Sequence, residues 1–103
     1  VSAPGVDIIS TSDSSYSIPY SSSTGTSDST VFVTGALALI LERHGSALAT
    51  IDDAYERIML VKQALADSCQ PNPLQGGEHH PRWGYGVLDA VAWERAVADA
   101  IVE

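Results

Sequence analysis

The chain has 103 residues, of which 13 are acidic and 5 are basic, so its formal net charge is −8. An acidic balance of this size argues against nucleic acid or an anionic membrane as a partner, so neither is predicted. Hydrophobic residues make up 45% of the sequence and fall in periodic blocks, which is typical of one small globular domain. The single cysteine excludes an internal disulfide bond.

The first predicted element is a short strand near the N-terminus. A Pro-Gly turn at residues 4–5 precedes a run rich in β-branched residues that ends at Thr11. The next dozen residues are nearly all Ser, Thr, Tyr, Asp and Pro, which suits either a flexible linker or a hairpin arm from Thr11 to Tyr20. Segment 12–24 is therefore predicted to be a hairpin or a loop.

The stretch 20–41 changes abruptly from a polar loop to a nearly apolar segment. Its dozen or so apolar residues are fewer than the roughly 20 that span a bilayer, so a helix buried on every side of a core is predicted. We expect this helix to cover residues 27–43 and to stop at His44-Gly45, with His44 on the surface. The residues expected to be enclosed are Val33, Ala36, Leu37 and Ile40.

Two further helices are predicted downstream. Residues 50–53 resemble a capping box that opens a second, amphipathic helix. Residues 68–82 contain several prolines and a Gly-Gly pair, and are predicted to form a loop. A short strand then ends at Asp89, which suits the N-cap of a last helix that runs to about Ile101.

The loop 68–82 also holds side chains that can bind metals. Cys69, Glu78, His79 and His80 are potential ligands. Adjacent histidines on a loop lack the fixed spacing of a preformed metal site, however, so a solvated polar loop is favoured and no metal site is predicted.

Ser27 lies where the apolar helix is predicted to begin. At a helix start, unbonded backbone N–H groups and the helix dipole stabilise an oxyanion that forms beside a hydroxyl. The same position is also usual for an N-cap serine, so capping is the alternative. The three histidines all follow Ser27, as in α/β-hydrolases, but the Gly-x-Ser-x-Gly motif of those enzymes fails at Ser29.

Three segments in order resemble one enzyme family. Gly25-Thr26-Ser27, followed eight residues after the serine by Gly35 and a short apolar run, resembles the nucleophile motif of subtilisin-like serine proteases (subtilases). Residues 2–11 look like the strand and turn that precede that motif. Residues 83–90 are similar to the glycine-spaced strand that leads into the family's last helix. Together the three segments extend over nearly the whole chain.

The resemblance implies a fold class and an activity. The fold would be α/β: residues 1–103 would form a single partial domain, the C-terminal portion of a three-layer parallel-sheet catalytic domain, with a buried helix starting at Ser27. The activity would be that of a serine endopeptidase, in which Ser27 attacks a peptide carbonyl and an acyl-enzyme forms. Thr24, Gly25 and Thr26 would then lie at the substrate cleft.

The remaining implications concern partners and the rest of the catalytic machinery. In subtilases the catalytic Asp and His and an oxyanion-hole Asn precede the serine, so these residues would lie upstream of Val1 in a longer precursor. The isolated chain is therefore predicted to be inactive. Its partners would be a peptide or protein substrate and the remaining part of the catalytic domain. No cofactor is expected in this segment; calcium elsewhere in the domain, and secretion, are implied by the resemblance only.

The sequence departs from the family's motif after the serine. The family commonly has Met directly after it, and Pro and His four and five residues after it, where this chain has Asp28, Val31 and Phe32. A carboxylate about 6 Å from the oxyanion would oppose it by roughly 2 to 3 kcal/mol at an effective dielectric constant of 20. Two alternatives follow: a catalytically inactive subtilase-like binding module, or a stand-alone acidic interaction domain in which Ser27 only caps a helix.

Overall fold

The computed structural model describes residues 1–13, 18–71 and 78–102. Within these ranges the chain forms a two-stranded sheet followed by three helices. The elements are β1 (Ile8–Thr11), β2 (Tyr20–Ser23), α1 (Thr26–Leu48), α2 (Ala54–Ser68) and α3 (Ala90–Val102).

The two strands form an antiparallel hairpin. Ile8 lies opposite Ser23 and Thr11 lies opposite Tyr20. The backbone N–H of Ser12 donates to the Pro19 carbonyl at 2.7 Å, which extends the pairing by one step. Seven of the eight strand residues are exposed, so the hairpin buries little surface. Of segment 12–24, for which a hairpin or loop was predicted, residues 14–17 lie outside the described residues.

The prediction of a three-layer parallel sheet is wrong for this chain. In the described residues the only sheet is the antiparallel β1–β2 pair. Parallel pairing is limited to a single bridge between Ser2 and Val87. A parallel ladder needs consecutive extended residues on both segments, whereas Pro4-Gly5 turns the first one and Asp89 begins a helix directly after the second.

Helix α1 is longer than predicted at its C-terminal end. It continues through Gly45 to Leu48, so the predicted stop at His44-Gly45 is wrong. The added turn is stabilised in two ways: the Ala49 N–H donates to the Gly45 carbonyl at 2.9 Å, and the Leu48 side chain is buried in the core. Burial of a leucine outweighs the cost of about 1 kcal/mol for a helical glycine.

The hydrophobic core lies between the second half of α1, α2 and α3. Its buried residues are Ala36, Ile40, Leu48, Ala64, Trp93 and Val97. The indole N–H of Trp93 donates to the Val61 carbonyl at 3.0 Å, so the largest core side chain has its polar atom paired. No described residue before Ala36 is buried.

The prediction that α1 is buried on every side is also wrong for this chain. Ala36 and Ile40 are buried, but Val33 and Leu37 are only half-buried. The exposed large apolar side chains of the helix are Val31, Phe32, Leu39 and Leu41. The core partners of α1 come from α2 and α3, and they cover one side of the helix only.

By length and composition alone, α1 could cross a membrane. Its 23 residues extend about 35 Å, and only 17% of its most apolar 18-residue window is buried. The mainly apolar part is shorter, however, because residues 26–30 are polar and Glu42-Arg43 is charged. The stretch 31–41 extends about 16 Å, roughly half of a bilayer's hydrocarbon thickness, which favours packing against protein.

The other two helices begin at aspartates. Asp53 is the N-cap of α2 and accepts the Tyr55 N–H at 2.9 Å, so the cap lies three residues later than the predicted capping box, which began at Thr50. Asp89 accepts the Ala92 N–H at 2.9 Å at the start of α3. The predicted cap and extent of the last helix are therefore confirmed.

Candidate functional site

The predicted site residues are consecutive, and they form the junction between β2 and α1. Thr24 follows the last residue of β2, and Gly25 is the N-cap of α1. Thr26 and Ser27 are the first and second residues of the helix, and both are exposed. The junction therefore presents the Ser27 side chain to solvent within the first helical turn.

Ser27 does not cap the helix. The N-cap is Gly25, whose backbone is extended (φ 165°, ψ 165°) and which has no side chain to accept an amide hydrogen. Among the described residues, the Ser27 hydroxyl has no hydrogen-bond partner. The first turn thus combines a free hydroxyl with backbone N–H groups that no capping side chain satisfies. The interpretation of Ser27 as a cap is wrong.

The turn at residues 4–5 holds the helix start in place. The Gly25 N–H donates to the Gly5 carbonyl at 2.8 Å, and the Ser29 hydroxyl donates to the Ala3 carbonyl at 3.0 Å. A Cβ atom at Gly5 would lie 2.8 Å from the Gly25 carbonyl oxygen, closer than real Cβ contacts. Glycine is therefore needed at position 5 for the turn to approach the helix start.

The Thr24 hydroxyl is engaged in a structural hydrogen bond. Its Oγ1 accepts the backbone N–H of Asp7 at 3.0 Å. Asp7 has a positive φ of 53°, a left-handed conformation that aspartate tolerates better than most residues. The hydrogen bond between Asp7 and Thr24 ties the start of β1 to the end of β2, three residues before Ser27.

The Asp28 carboxylate lies over the start of α1. Its Oδ1 accepts a hydrogen bond of 2.8 Å from the Ser23 hydroxyl at the end of β2. Its Oδ2 is 3.8 Å from the position that a Cβ atom at Gly25 would occupy. In this place the negative charge interacts favourably with the helix dipole, typically by about 0.3–1 kcal/mol. The same charge opposes an oxyanion that forms beside Ser27.

His44 cannot act as the base for Ser27. It is 17 residues further along the same helix, a distance of about 26 Å. Its Nε2 lies 2.7 Å from Glu94 Oε1 on α3, and its side chain is only 18% exposed, so the predicted surface position is wrong. The hydrogen bond from His44, with Arg43 also nearby, holds the pKa of the Glu94 carboxyl below its usual value.

The other two histidines have aromatic neighbours. The Nδ1 of His80 accepts the Arg82 backbone N–H at 3.0 Å, and its ring stacks on Trp83 with the centroids 4.0 Å apart. The ring of His79 meets that of Tyr85 edge-on. Within the described residues, no histidine is hydrogen-bonded to Ser27, so this part of the chain assembles no catalytic triad.

The potential metal ligands do not converge in the described part of the chain. No three His, Cys, Asp or Glu side chains there lie close enough to hold an ion. Cys69 is buried at the end of α2, where its thiol donates to the Leu65 carbonyl at 3.1 Å. Burial raises the pKa of this thiol, which suits a structural role. Of the predicted loop 68–82, residues 72–77 lie outside the described residues.

An apolar groove begins beside the candidate site. It has a volume of about 600 Å³ and lies between β1 and the exposed side of α1, with Asp28 among its lining residues. Its principal apolar walls are Ile8, Ile9, Val31, Phe32 and Leu39. Sequence reasoning missed this groove because the helix was expected to be enclosed.

Sequence reasoning also missed three residues that shape the site, namely Gly5, Ser23 and Ser29. Each acts through a contact with a residue in another element. The sequence offered one signal only, the Pro-Gly pair at residues 4–5, which indicated a turn.

Comparisons with protein-family models, curated proteins and solved structures found no match. The assignment of the site therefore rests on the residues and the geometry described above.

Proposed function

We propose that this chain carries the nucleophile of a serine endopeptidase similar to the subtilisin-like proteases, and that Ser27 is that nucleophile. One observation carries the proposal. The Ser27 hydroxyl is exposed and free of partners among the described residues, on the first turn of a long helix whose N-cap is glycine.

The proposed reaction is acyl transfer through Ser27. Its Oγ attacks the carbonyl carbon of the scissile peptide bond while a histidine accepts the hydroxyl proton. The carbonyl oxygen becomes an oxyanion that accepts hydrogen bonds from backbone N–H groups at the helix start. The tetrahedral intermediate then collapses, the protonated amine leaves, and water hydrolyses the ester on Ser27. The histidine and its orienting aspartate belong, in this proposal, to another part of a longer polypeptide.

The neighbouring residues take different roles in the proposal. Gly25 and Thr26 are the proposed substrate contacts, because they directly precede Ser27, Thr26 is exposed, and neither uses a side chain to cap the helix. Thr24 acts as a positioning residue, since its hydroxyl is already engaged with the Asp7 N–H.

A second candidate is a catalytically inactive binding module of the same type. It is favoured by Asp28, whose carboxylate lies over the helix start and is held there by Ser23. At about 6 Å and an effective dielectric constant of 20, this charge would raise the barrier by roughly 2 to 3 kcal/mol, or about a hundredfold in rate. The two candidates therefore differ in a measurable quantity, the reactivity of Ser27.

A fluorophosphonate probe, which labels activated serines, tests the proposal. The experiment uses the longer polypeptide, in which this chain is joined to the segments with the catalytic Asp and His. Mass spectrometry locates the labelled residue. We expect labelling at Ser27 that is lost in Ser27→Ala and kept in Ser46→Ala, a matched change at an exposed serine later in α1. Asp28→Asn should label faster, by up to about a hundredfold, because it removes the opposing charge.

The outcomes separate the two candidates. Labelling only after Asp28→Asn would favour the inactive module over the protease. Absence of labelling at Ser27 in every variant, in samples shown to be folded, would contradict both the proposed role of Ser27 and the catalytic mechanism. The isolated 103-residue chain should not be labelled, because an unassisted serine is an ordinary alcohol.

A further inference from the structure

A second apolar groove lies between the later part of α1 and α2. Its volume is about 360 Å³, within the range of about 300–1,000 Å³ that is common for small-molecule sites. Its aliphatic walls are Leu37, Leu41, Leu48, Ile58 and Val61. No aromatic and no acidic side chain is among the described residues that line it. This lining suits an alkyl chain better than a flat or polar ligand.

The same groove concentrates positive charge in an acidic protein. The chain has only five lysines and arginines, and two of them, Arg57 and Lys62, line this groove. In the described part of the chain neither forms an ion pair. Asp53, the i−4 neighbour of Arg57 on α2, caps the helix through the Tyr55 N–H instead. Among the described residues, therefore, neither of these two cations has an acidic side chain within ion-pair distance.

The walls of the groove remain accessible from solvent. Leu41 on α1 and Ile58 on α2 are both about half exposed. Gly45 also lines the groove, and a Cβ atom at this position would meet nothing within 4 Å. The space over α1 at Gly45 is thus open, while Leu48 closes the groove towards the core.

We propose that this groove binds a single-chain carboxylate amphiphile, such as a medium-chain fatty acid. The alkyl chain lies along the leucines of α1 and the aliphatic side chains of α2. The carboxylate contacts Arg57 and Lys62; the planar guanidinium group can donate two parallel hydrogen bonds to it. The proposal is independent of Ser27, because the groove uses other residues and lies away from the first turn of α1.

The two parts of the ligand make separate contributions that can be measured. Each buried methylene group tightens binding by about fourfold, so two more carbons in the chain should tighten it by about fifteenfold. The charge contribution is sensitive to ionic strength, because Lys62 is exposed and its interactions are screened by salt. A ligand series that varies chain length at a fixed headgroup therefore reports on the walls alone.

Calorimetric titration of the full chain with hexanoate, octanoate and decanoate tests the proposal. The double variant Arg57→Gln/Lys62→Gln removes both charges, and Arg95→Gln is the matched control because Arg95 is an exposed arginine on α3, outside the groove. Ile58→Glu places a negative charge on the wall. Decyltrimethylammonium tests the headgroup, anionic lipid vesicles test adsorption to a membrane surface, and circular dichroism checks the fold of each variant.

We expect saturable one-to-one binding of decanoate, weakened at least tenfold in the double variant, abolished in Ile58→Glu and unchanged in Arg95→Gln. Affinity should rise from hexanoate to decanoate, and decyltrimethylammonium should bind at least tenfold more weakly. The proposal is overturned if decanoate does not saturate one site, if the folded double variant binds it as tightly as the unchanged chain, or if the cationic amphiphile binds equally well. Binding to anionic vesicles without binding to decanoate would also overturn it.

Discussion

Both halves of helix α1 carry large apolar side chains, but these side chains lie in different surroundings. In the first half, Val31 is 68% exposed and Phe32 is 42% exposed. In the second half, Ile40 is 2% exposed and Leu48 is 4% exposed. Apolar side chains allow a helix to be buried, but the elements that pack against the helix decide which of those side chains are buried.

The cause of the difference is the position of the other elements. The core unites the second half of α1 with α2 and α3. The first half has beside it a hairpin whose strands are nearly all exposed and a turn held by hydrogen bonds to Gly25 and Ser29. Ser27 therefore lies in the half that is positioned by polar contacts, and its hydroxyl stays open to solvent.

The largest expected effect comes from removing a core side chain. Trp93→Ala creates a cavity and removes the hydrogen bond from the indole N–H to the Val61 carbonyl, so it should lower the free energy of unfolding by about 3–5 kcal/mol. Phe32→Ala, in the open half of α1, should cost about 1 kcal/mol or less. Urea unfolding followed by circular dichroism measures both.

Equal costs for the two aromatic residues would contradict the difference in packing between the core and the first half of α1. If the tryptophan variant does not fold, Val97→Ala replaces it, because Val97 is fully buried and its truncation is smaller. Its cost should still exceed that of Phe32→Ala.

A smaller effect is expected at the helix starts. Asp53→Ala removes the cap of α2 and should cost about 1 kcal/mol in unfolding free energy. Gly25→Ser supplies α1 with a capping hydroxyl, and its Cβ would make only ordinary contacts, so it should stabilise the chain by a few tenths of a kcal/mol. Thermal unfolding of the two variants checks the signs. Destabilisation by Gly25→Ser would show that the first turn of α1 depends on glycine itself.

The smallest expected effect is the pH dependence of the contact between α1 and α3. The pKa of Glu94 is lowered in the folded chain, chiefly by the hydrogen bond from His44. This interaction therefore stabilises the fold above the unfolded-state pKa of about 4.3 and is lost as the pH falls through the lower folded-state value. Glu94→Gln should reduce the decrease in unfolding free energy that the chain shows as the pH is lowered from 7 to 3. Glu56→Gln, an exposed change on α2, is the control, and an equal reduction there would contradict the assignment.

Local sequence signals predicted the helices well. The Asp89 cap and the extent of α3 followed from a capping residue and a periodic pattern, both of which act within a turn or two. The stop of α1 at Gly45 failed although its signal was also local, because burial of Leu48 in the core stabilises one more turn. Tertiary packing overrode a local preference there.

The long-range features could not be obtained from the sequence. The parallel sheet was expected from a resemblance, but in the described residues the parallel pairing amounts to a single bridge between Ser2 and Val87. At the candidate site, the position of Ser27 at the helix start was predictable from the change of composition. The orientation of Asp28 was not, because it depends on a hydroxyl of β2, and the need for Gly5 depends on contacts with a segment 20 residues away.

We conclude that the first half of α1 is open around Ser27 and that the second half packs one of its faces into the core. Amide hydrogen exchange measured residue by residue along α1 distinguishes the two halves. We predict slow exchange from Leu37 to Leu48 and exchange at least about a hundredfold faster from Thr30 to Gly35, since local opening is easier where few apolar contacts form. Uniformly slow exchange along the whole helix would contradict the account.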